Sequence, residues 1–150
     1  MRNSANWSRA VPLLLVVAAW GCNKDPLQKV EVHGTVTFDG QACPGPGRLT
    51  FSPIEVAEGL PHRMGFGKFE TDGKYAATSF RPGDGLVPGR YSVGVACFDA
   101  SMLSSAPGDQ EYRRASYVNE DFQAPELVVE PGSGPVEYNL DVPFRNPRRK

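Results

Sequence analysis

Short runs of alternating apolar and polar residues, each ended by a turn with glycine or proline, constrain the fold of this chain the most. Between positions 30 and 38, three valines and a phenylalanine share one parity, and Glu, His and Thr take the other. Period-two alternation predicts a β-strand with one buried face. Asp39-Gly40 follows and predicts a tight reversal, because this pair readily adopts the positive φ that such turns need.

The same criteria predict further strands along the chain. They cover residues 48–53, 66–71, 74–80, 90–98, 125–131 and 135–144. We expect Pro53 to end the second strand, Asp72-Gly73 to join a hairpin, and residues 54–65 and 99–124 to be irregular, without long helices. This pattern predicts an all-β fold: a single antiparallel β-sandwich of about seven strands with an Ig-like architecture.

The stretch GDGLVPGRYSVGV, residues 83–95, raises the question of a glycine-rich ligand loop. Phosphate-cradling loops need glycines at defined spacings before a helix. Gly83, Gly85 and Gly89 lack those spacings, and the alternating residues after them predict a strand. We therefore expect a turn in which Gly83 and Gly85 adopt positive φ, and no nucleotide site.

At the N-terminus, Arg2 and Arg9 precede an apolar segment at 11–20, which is too short to cross a bilayer as a helix, and Gly21 stands directly before Cys22. This arrangement resembles a bacterial lipoprotein signal. Lipidation of Cys22 would anchor the mature chain to a membrane. Asn23 favours the outer over the inner membrane, and secretion as a soluble protein is the alternative.

These boundaries predict four regions of the chain. They are a signal peptide at 1–21, a tether at 22–29, a β-domain at 30–144 and a basic tail at 145–150. After loss of the signal, 14 basic and 17 acidic residues remain, a net charge of −3. This balance argues against a nucleic-acid partner.

The titratable residues do not form a recognisable catalytic or metal motif. The two histidines, His33 and His62, are too few for a zinc site, and no spaced acidic run indicates calcium. No serine stands in a nucleophile-elbow motif. We expect no enzyme activity and no cofactor.

Two cysteines, Cys43 and Cys97, remain besides the lipidation candidate. Export places them where a disulfide can form, and two buried free thiols are the alternative.

The segment 111–122 contains the candidate recognition residues of the chain. They are Tyr112, Arg113, Arg114, Tyr117 and Phe122. Aromatic residues and arginine contribute much of the binding energy of protein interfaces. The alternative is that these aromatics close one end of the domain.

Several motifs together resemble one family. They are V-x-G-x-V-x-F-D-G-Q (32–41), L-T-F-S-P (49–53), T-D-G-K-Y (71–75), G-D-G-L-V-P-G-R-Y-S-V-G-V (83–95) and L-V-V-E-x-G (127–132). Their order is similar to that of small planctomycete-type lipoproteins with a carboxypeptidase regulatory-like, transthyretin-like domain. The resemblance implies an anchored extracytoplasmic β-domain without peptidase activity. We therefore expect a structural or protein-interaction role in the cell envelope. The alternative is binding of an envelope polysaccharide, although both tryptophans, Trp7 and Trp20, lie in the signal.

Overall fold

The computed structural model describes residues 25–147, so Cys22, the signal peptide and the last three residues of the basic tail lie outside the described residues. This part of the chain is mainly β-structure, with a 3₁₀ turn at Ala100–Met102 and one short helix, α1, at Asp109–Ala115. The strands are β1 Val32–Phe38, β2 Gly47–Val56, β3 Gly65–Phe69, β4 Lys74–Ala76, β5 Gly89–Cys97, β6 Leu127–Val129, β7 Val136–Glu137 and β8 Leu140–Val142. The expected all-β fold class is thus confirmed.

One sheet is built around β1, which pairs with β4, β7 and β8. The β1–β4 pair is antiparallel, but β7 and β8 both run parallel to β1. A short interruption separates β7 from β8. At this point the backbone N–H of Thr35 donates a hydrogen bond of 2.8 Å to the side-chain oxygen of Asn139, in place of a backbone carbonyl. The expectation of a wholly antiparallel arrangement is therefore wrong for this sheet, because the last strands join β1 from a distant part of the chain.

The second sheet has the order β3-β2-β5-β6 and is antiparallel throughout. Strand β2 continues past Pro53 to Val56, with a register shift between Pro53 and Glu55. Our expectation that Pro53 ends the strand is wrong. The pairing of β2 with β3 ends at Phe51, before Pro53. Proline lacks a backbone N–H, but at position 53 no hydrogen bond to β3 requires one.

The predicted hairpin at 66–80 is also wrong in part. Strand β3 pairs with β2 and β4 pairs with β1, so the turn at Asp72-Gly73 carries the chain from one sheet to the other. Only an isolated bridge between Phe66 and Thr78 joins the two segments. A side chain at Gly73, whose φ is +74°, would overlap the carbonyl of Val36, so this crossing requires glycine.

The inner faces of both sheets contribute to one hydrophobic core. The alternation in the sequence explains this, because the residues of one parity in each strand face inward. The fully buried side chains include Val32 and Val36 from β1, Leu49 and Phe51 from β2, and Tyr91 from β5.

Two turns predicted from glycine chemistry are confirmed. Asp39 and Gly40 have φ values of 48° and 70°, and Phe38 and Gln41 on either side exchange two backbone hydrogen bonds. Gly83 and Gly85 have φ values of 72° and 84°, and the chain then enters β5 at Gly89. The glycine-rich stretch is therefore a turn followed by a strand.

Candidate recognition groove

The segment after β5 folds back onto the end of that strand. Backbone hydrogen bonds join the N–H of Asp99 to the carbonyl of Ala115 at 2.8 Å, and the N–H of Tyr117 to the carbonyl of Cys97 at 2.9 Å. These bonds fix the C-terminal end of α1 relative to β5. A segment expected to be irregular is thus organised around a helix of seven residues.

Charges at its two ends explain why so short a helix forms here. Asp109 and Glu111 lie in its first turn, and Arg113 and Arg114 lie in its last, which is the distribution that complements the helix dipole. Ser104 donates a hydrogen bond of 2.8 Å to the carboxylate of Glu111 from the preceding loop. The helix therefore depends on local polar contacts more than on burial.

A groove of about 330 Å³ lies between β5 and the segment that contains α1. We call it the α1 groove, and its lining residues are Val93, Gly94, Val95, Phe98, Tyr112, Arg113, Ser116, Val118, Asn119, Glu120 and Phe122.

The groove brings together three of the five recognition residues named from the sequence: Tyr112, Arg113 and Phe122. Tyr112 is 39% exposed, and its ring centroid lies 5.1 Å from that of Phe98 at a tilt of 57°. A tilted aromatic pair of this geometry is energetically favourable, so the Phe98 ring helps to fix the position of the Tyr112 ring. Tyr112 is thus positioned by Phe98 but keeps a face for a ligand.

The other two recognition residues do not line the groove. Tyr117 stacks on Phe144, with ring centroids 5.8 Å apart, and packs against the core. Arg114 points along the helix, where its guanidinium is 3.5 Å from the amide oxygen of Gln110. Tyr117 therefore closes the end of the domain, which is the alternative that the sequence left open for these aromatics.

Two opposite charges flank the groove. The guanidinium of Arg113 lies 3.9 Å from the carboxylate of Glu120, and both side chains are mostly exposed. Such a pair contributes little to stability, so either charge can turn to a ligand at small cost. The backbone carbonyl of Arg113 accepts a hydrogen bond of 2.7 Å from the guanidinium of Arg145, which holds the residue in place.

Gly94 leaves part of the groove open. A Cβ at this position would have the carbonyl oxygen of Thr50 as its nearest neighbour, 3.9 Å away, so an added Cβ makes no close contact. Gly94 and Phe98 were not predicted from the sequence as site residues. The available signal was a glycine within the alternating strand YSVGVAC, since glycine inside a strand often marks an open or closely approached position.

Cys43 and Cys97 are both buried free thiols in this structure. The Cys43 thiol donates to the carbonyl of Val36 at 3.1 Å, and that of Cys97 lies 3.5 Å from the carbonyl of Gly45. Burial raises the pKa of both thiols, that of Cys97 to about 11. Both are therefore protonated at neutral pH and poor nucleophiles.

Among residues 25–147 there is no group of three His, Cys, Asp or Glu side chains that could hold a metal ion. Nor does this part of the chain contain a helix that is long and apolar enough to span a membrane. No protein-family model matches the chain, and no curated protein or solved structure is significantly similar to it.

Proposed function

We propose that this chain is a non-enzymatic, lipid-anchored extracytoplasmic domain that holds a protein partner of the cell envelope in the α1 groove. Its fold is a transthyretin-like β-sandwich of the carboxypeptidase regulatory-like type. The anchor is the lipidated thiol of Cys22, and the membrane is the outer one.

Two features support the sandwich. Two four-stranded sheets share one core. In addition, the hydroxyl of the buried Tyr91 donates a hydrogen bond of 2.6 Å to the carbonyl of Val87, four residues upstream. Immunoglobulin-type sandwiches use a tyrosine corner of this kind to fix a loop to the start of a strand.

The observation that carries the proposed function is the composition of the α1 groove. It combines the exposed Tyr112 with Phe122, an unfilled position at Gly94 and the weakly paired Arg113. Aromatic and arginine side chains in a concave site are the residues that most often dominate protein interfaces. A partner segment with an apolar side chain beside a carboxylate would fit, because the apolar group covers the rings and the carboxylate pairs with Arg113.

The chemistry of the cysteines supports a binding role rather than catalysis. The thiols of Cys43 and Cys97 are protonated and inaccessible, so neither serves as a nucleophile. The anchor is supported by the signal-like segment before Cys22, and two acyl chains are enough for stable attachment. Cys22→Ser should release the protein from membranes, and unchanged retention would refute the anchor.

Two groove variants test the proposed function. Tyr112→Ala removes the exposed ring, whereas Gly94→Phe places a ring at a groove position where an added Cβ meets nothing closer than 3.9 Å. Val128→Ala is the matched control, because Val128 is 52% exposed on β6 and does not line the groove. We expect one envelope protein to be captured by the parent and the control and lost with both groove variants.

A glycan array with the same proteins tests the alternative. Specific retention of a glycan that is lost with Tyr112→Ala would replace the protein partner with a polysaccharide. Capture that is equal for all four proteins would refute the groove as the binding site.

A further inference from the structure

A second surface combines exposed apolar side chains with cations. We call it the Phe66/Phe80 patch, and the antiparallel bridge between Phe66 and Thr78 brings the segment that leads to Phe80 alongside β3. The patch consists of Arg48, Arg63, Met64, Phe66, Lys68 and Phe80. Met64, Phe66 and Phe80 are 46%, 38% and 43% exposed. Phe66 also lines a groove of about 590 Å³ with Arg48 and Lys68. Clustered exposure of this kind marks an interaction surface, since isolated apolar residues would need no explanation.

The cations of the patch lack acidic partners within the described chain. Arg48 lies directly opposite Lys68 across β2 and β3, an arrangement of like charges that destabilises a sheet. Neither side chain forms a salt bridge within residues 25–147. The guanidinium of Arg48 instead lies 5.6 Å from the Phe66 ring centroid. An external anion would relieve this repulsion.

Phe80 continues the patch in the same way. The guanidinium of Arg63 lies 4.7 Å from the centroid of the Phe80 ring, and the ammonium group of Lys29 lies 5.6 Å from the same centroid. The nearby carboxylates of Asp25 and Asp84 are both paired with Lys29, at 3.0 and 3.4 Å. The positive charge of Arg63 therefore has no acidic partner among residues 25–147.

The chain enters the domain beside this patch. The ion pairs of Lys29 with Asp25 and Asp84 fix the incoming segment next to Phe80. Cys22 stands three residues before Asp25, and three extended residues span only about 10 Å. A lipid on Cys22 would consequently hold this end of the domain against the bilayer.

We propose that the Phe66/Phe80 patch rests on the anionic headgroups of the membrane that holds the anchor, an inference that depends on the proposed lipidation of Cys22. The aromatic rings and Met64 enter the headgroup boundary, as apolar side chains of interfacial segments do. Arg48, Arg63 and Lys68 pair with lipid phosphates, so that the attraction falls with salt. The patch fixes the orientation of the domain on the membrane.

A single tryptophan reporter tests this orientation. The mature chain has no tryptophan, because Trp7 and Trp20 both precede Cys22, so Phe80→Trp introduces one indole at the exposed ring. The acylated protein is reconstituted into vesicles of phosphatidylcholine and phosphatidylglycerol with brominated acyl chains. We expect a blue-shifted emission and loss of about half of its intensity, because interfacial side chains reach ~5–10 Å into this boundary.

Phe144→Trp is the matched reporter. Phe144 is equally exposed, at 44%, but follows β8, which pairs with the end of β1 far from the tether. Its emission should not change. Met64→Trp serves as a second reporter within the patch if Phe80→Trp fails to fold.

A charge variant separates headgroup binding from tethering alone. Lys68→Glu gives Arg48 an opposite charge across the strands, so the sheet is retained while the patch loses attraction to anions. Arg114→Glu on α1 is the matched control. We expect quenching of the F80W protein to fall with Lys68→Glu or in pure phosphatidylcholine, and to persist with Arg114→Glu.

The outcomes distinguish this inference from the anchor. If the measured mass of the protein shows no acyl chains, the proposed lipid anchor is refuted, and the proposed orientation on the membrane is refuted with it. An acylated F80W protein that is unquenched in anionic vesicles would overturn the patch alone. Capture of a soluble anionic polysaccharide by the patch, without quenching, would likewise refute the membrane as its occupant.

Discussion

Alanine substitutions at Gly83 and Gly85 test how the glycine-rich turn stabilises the fold. Both glycines have positive φ, 72° and 84°, so alanine is strained at each. Their surroundings differ, however. A Cβ at Gly83 would meet nothing within 4 Å, whereas one at Gly85 would overlap the backbone carbonyl of Val30.

The two substitutions should therefore have different costs. The left-handed conformation alone costs ~1–2 kcal/mol for alanine, which is the loss that we expect for Gly83→Ala. For Gly85→Ala, Val30 must also move, and it exchanges two backbone hydrogen bonds of 2.9 Å with Leu86. Leaving one buried partner unpaired adds ~1–3 kcal/mol, so the total loss should be about 2–5 kcal/mol.

Urea unfolding of the purified proteins, followed by circular dichroism, measures both losses. Gly83→Ala is the internal control for φ strain, and an unchanged slope of the transition would show that the unfolded state is not altered. Equal losses at the two positions would refute the argument, because it attributes the excess at Gly85 to its contact with Val30.

Three further predictions concern buried polar groups. Tyr91→Phe should lower the free energy of unfolding by ~1–3 kcal/mol, measured by urea unfolding, because the buried carbonyl of Val87 loses its donor; no loss would contradict the corner. Burial raises the pKa of Asp84, but N–H donors including that of Ser79 outweigh it, so the net pKa lies below 3.8. Asp84→Asn should therefore destabilise the protein at neutral pH, and urea midpoints should converge with the parent as pH falls through the lowered pKa; a constant difference would contradict this. If Cys97 is a free thiol, its burial, which also raises its pKa to about 11, predicts much slower alkylation in the folded protein than in the unfolded chain. Mass analysis after alkylation measures this, and a thiol that stays unmodified in unfolded, unreduced protein would show a disulfide instead.

The local features of the fold could be predicted from the sequence because they depend on neighbouring residues. The buried parity of β1 follows from alternation alone, as do the inward residues of β5. The turns at Asp39-Gly40 and at Gly83 follow from the φ preferences of these residue types.

The pairing of the strands could not be predicted in this way. Nothing in the residues around Gly73 indicates that β3 and β4 join different sheets, because that depends on the close approach of β1 at Val36. The parallel pairing of β8 with β1 is likewise set by residues about 100 positions apart.

The candidate site was predictable in part for a similar reason. The aromatic and basic residues of 111–122 stood out by type, so Tyr112, Arg113 and Phe122 could be named. The helix that positions two of them buries only Ala115 and therefore leaves no helical period in the sequence. The contribution of Gly94 comes from β5, which no local pattern connects to the helix.

The most direct test of the central claim is site-specific photo-crosslinking in intact cells. A photoreactive phenylalanine analogue, which keeps an aromatic ring at position 112, replaces Tyr112 in one strain and Val128 in a control strain. We expect one protein adduct from position 112, absent from position 128 and lost when Gly94→Phe occupies the α1 groove. The same adducts from both positions, or an adduct at 112 that persists with Gly94→Phe, would contradict binding in the groove.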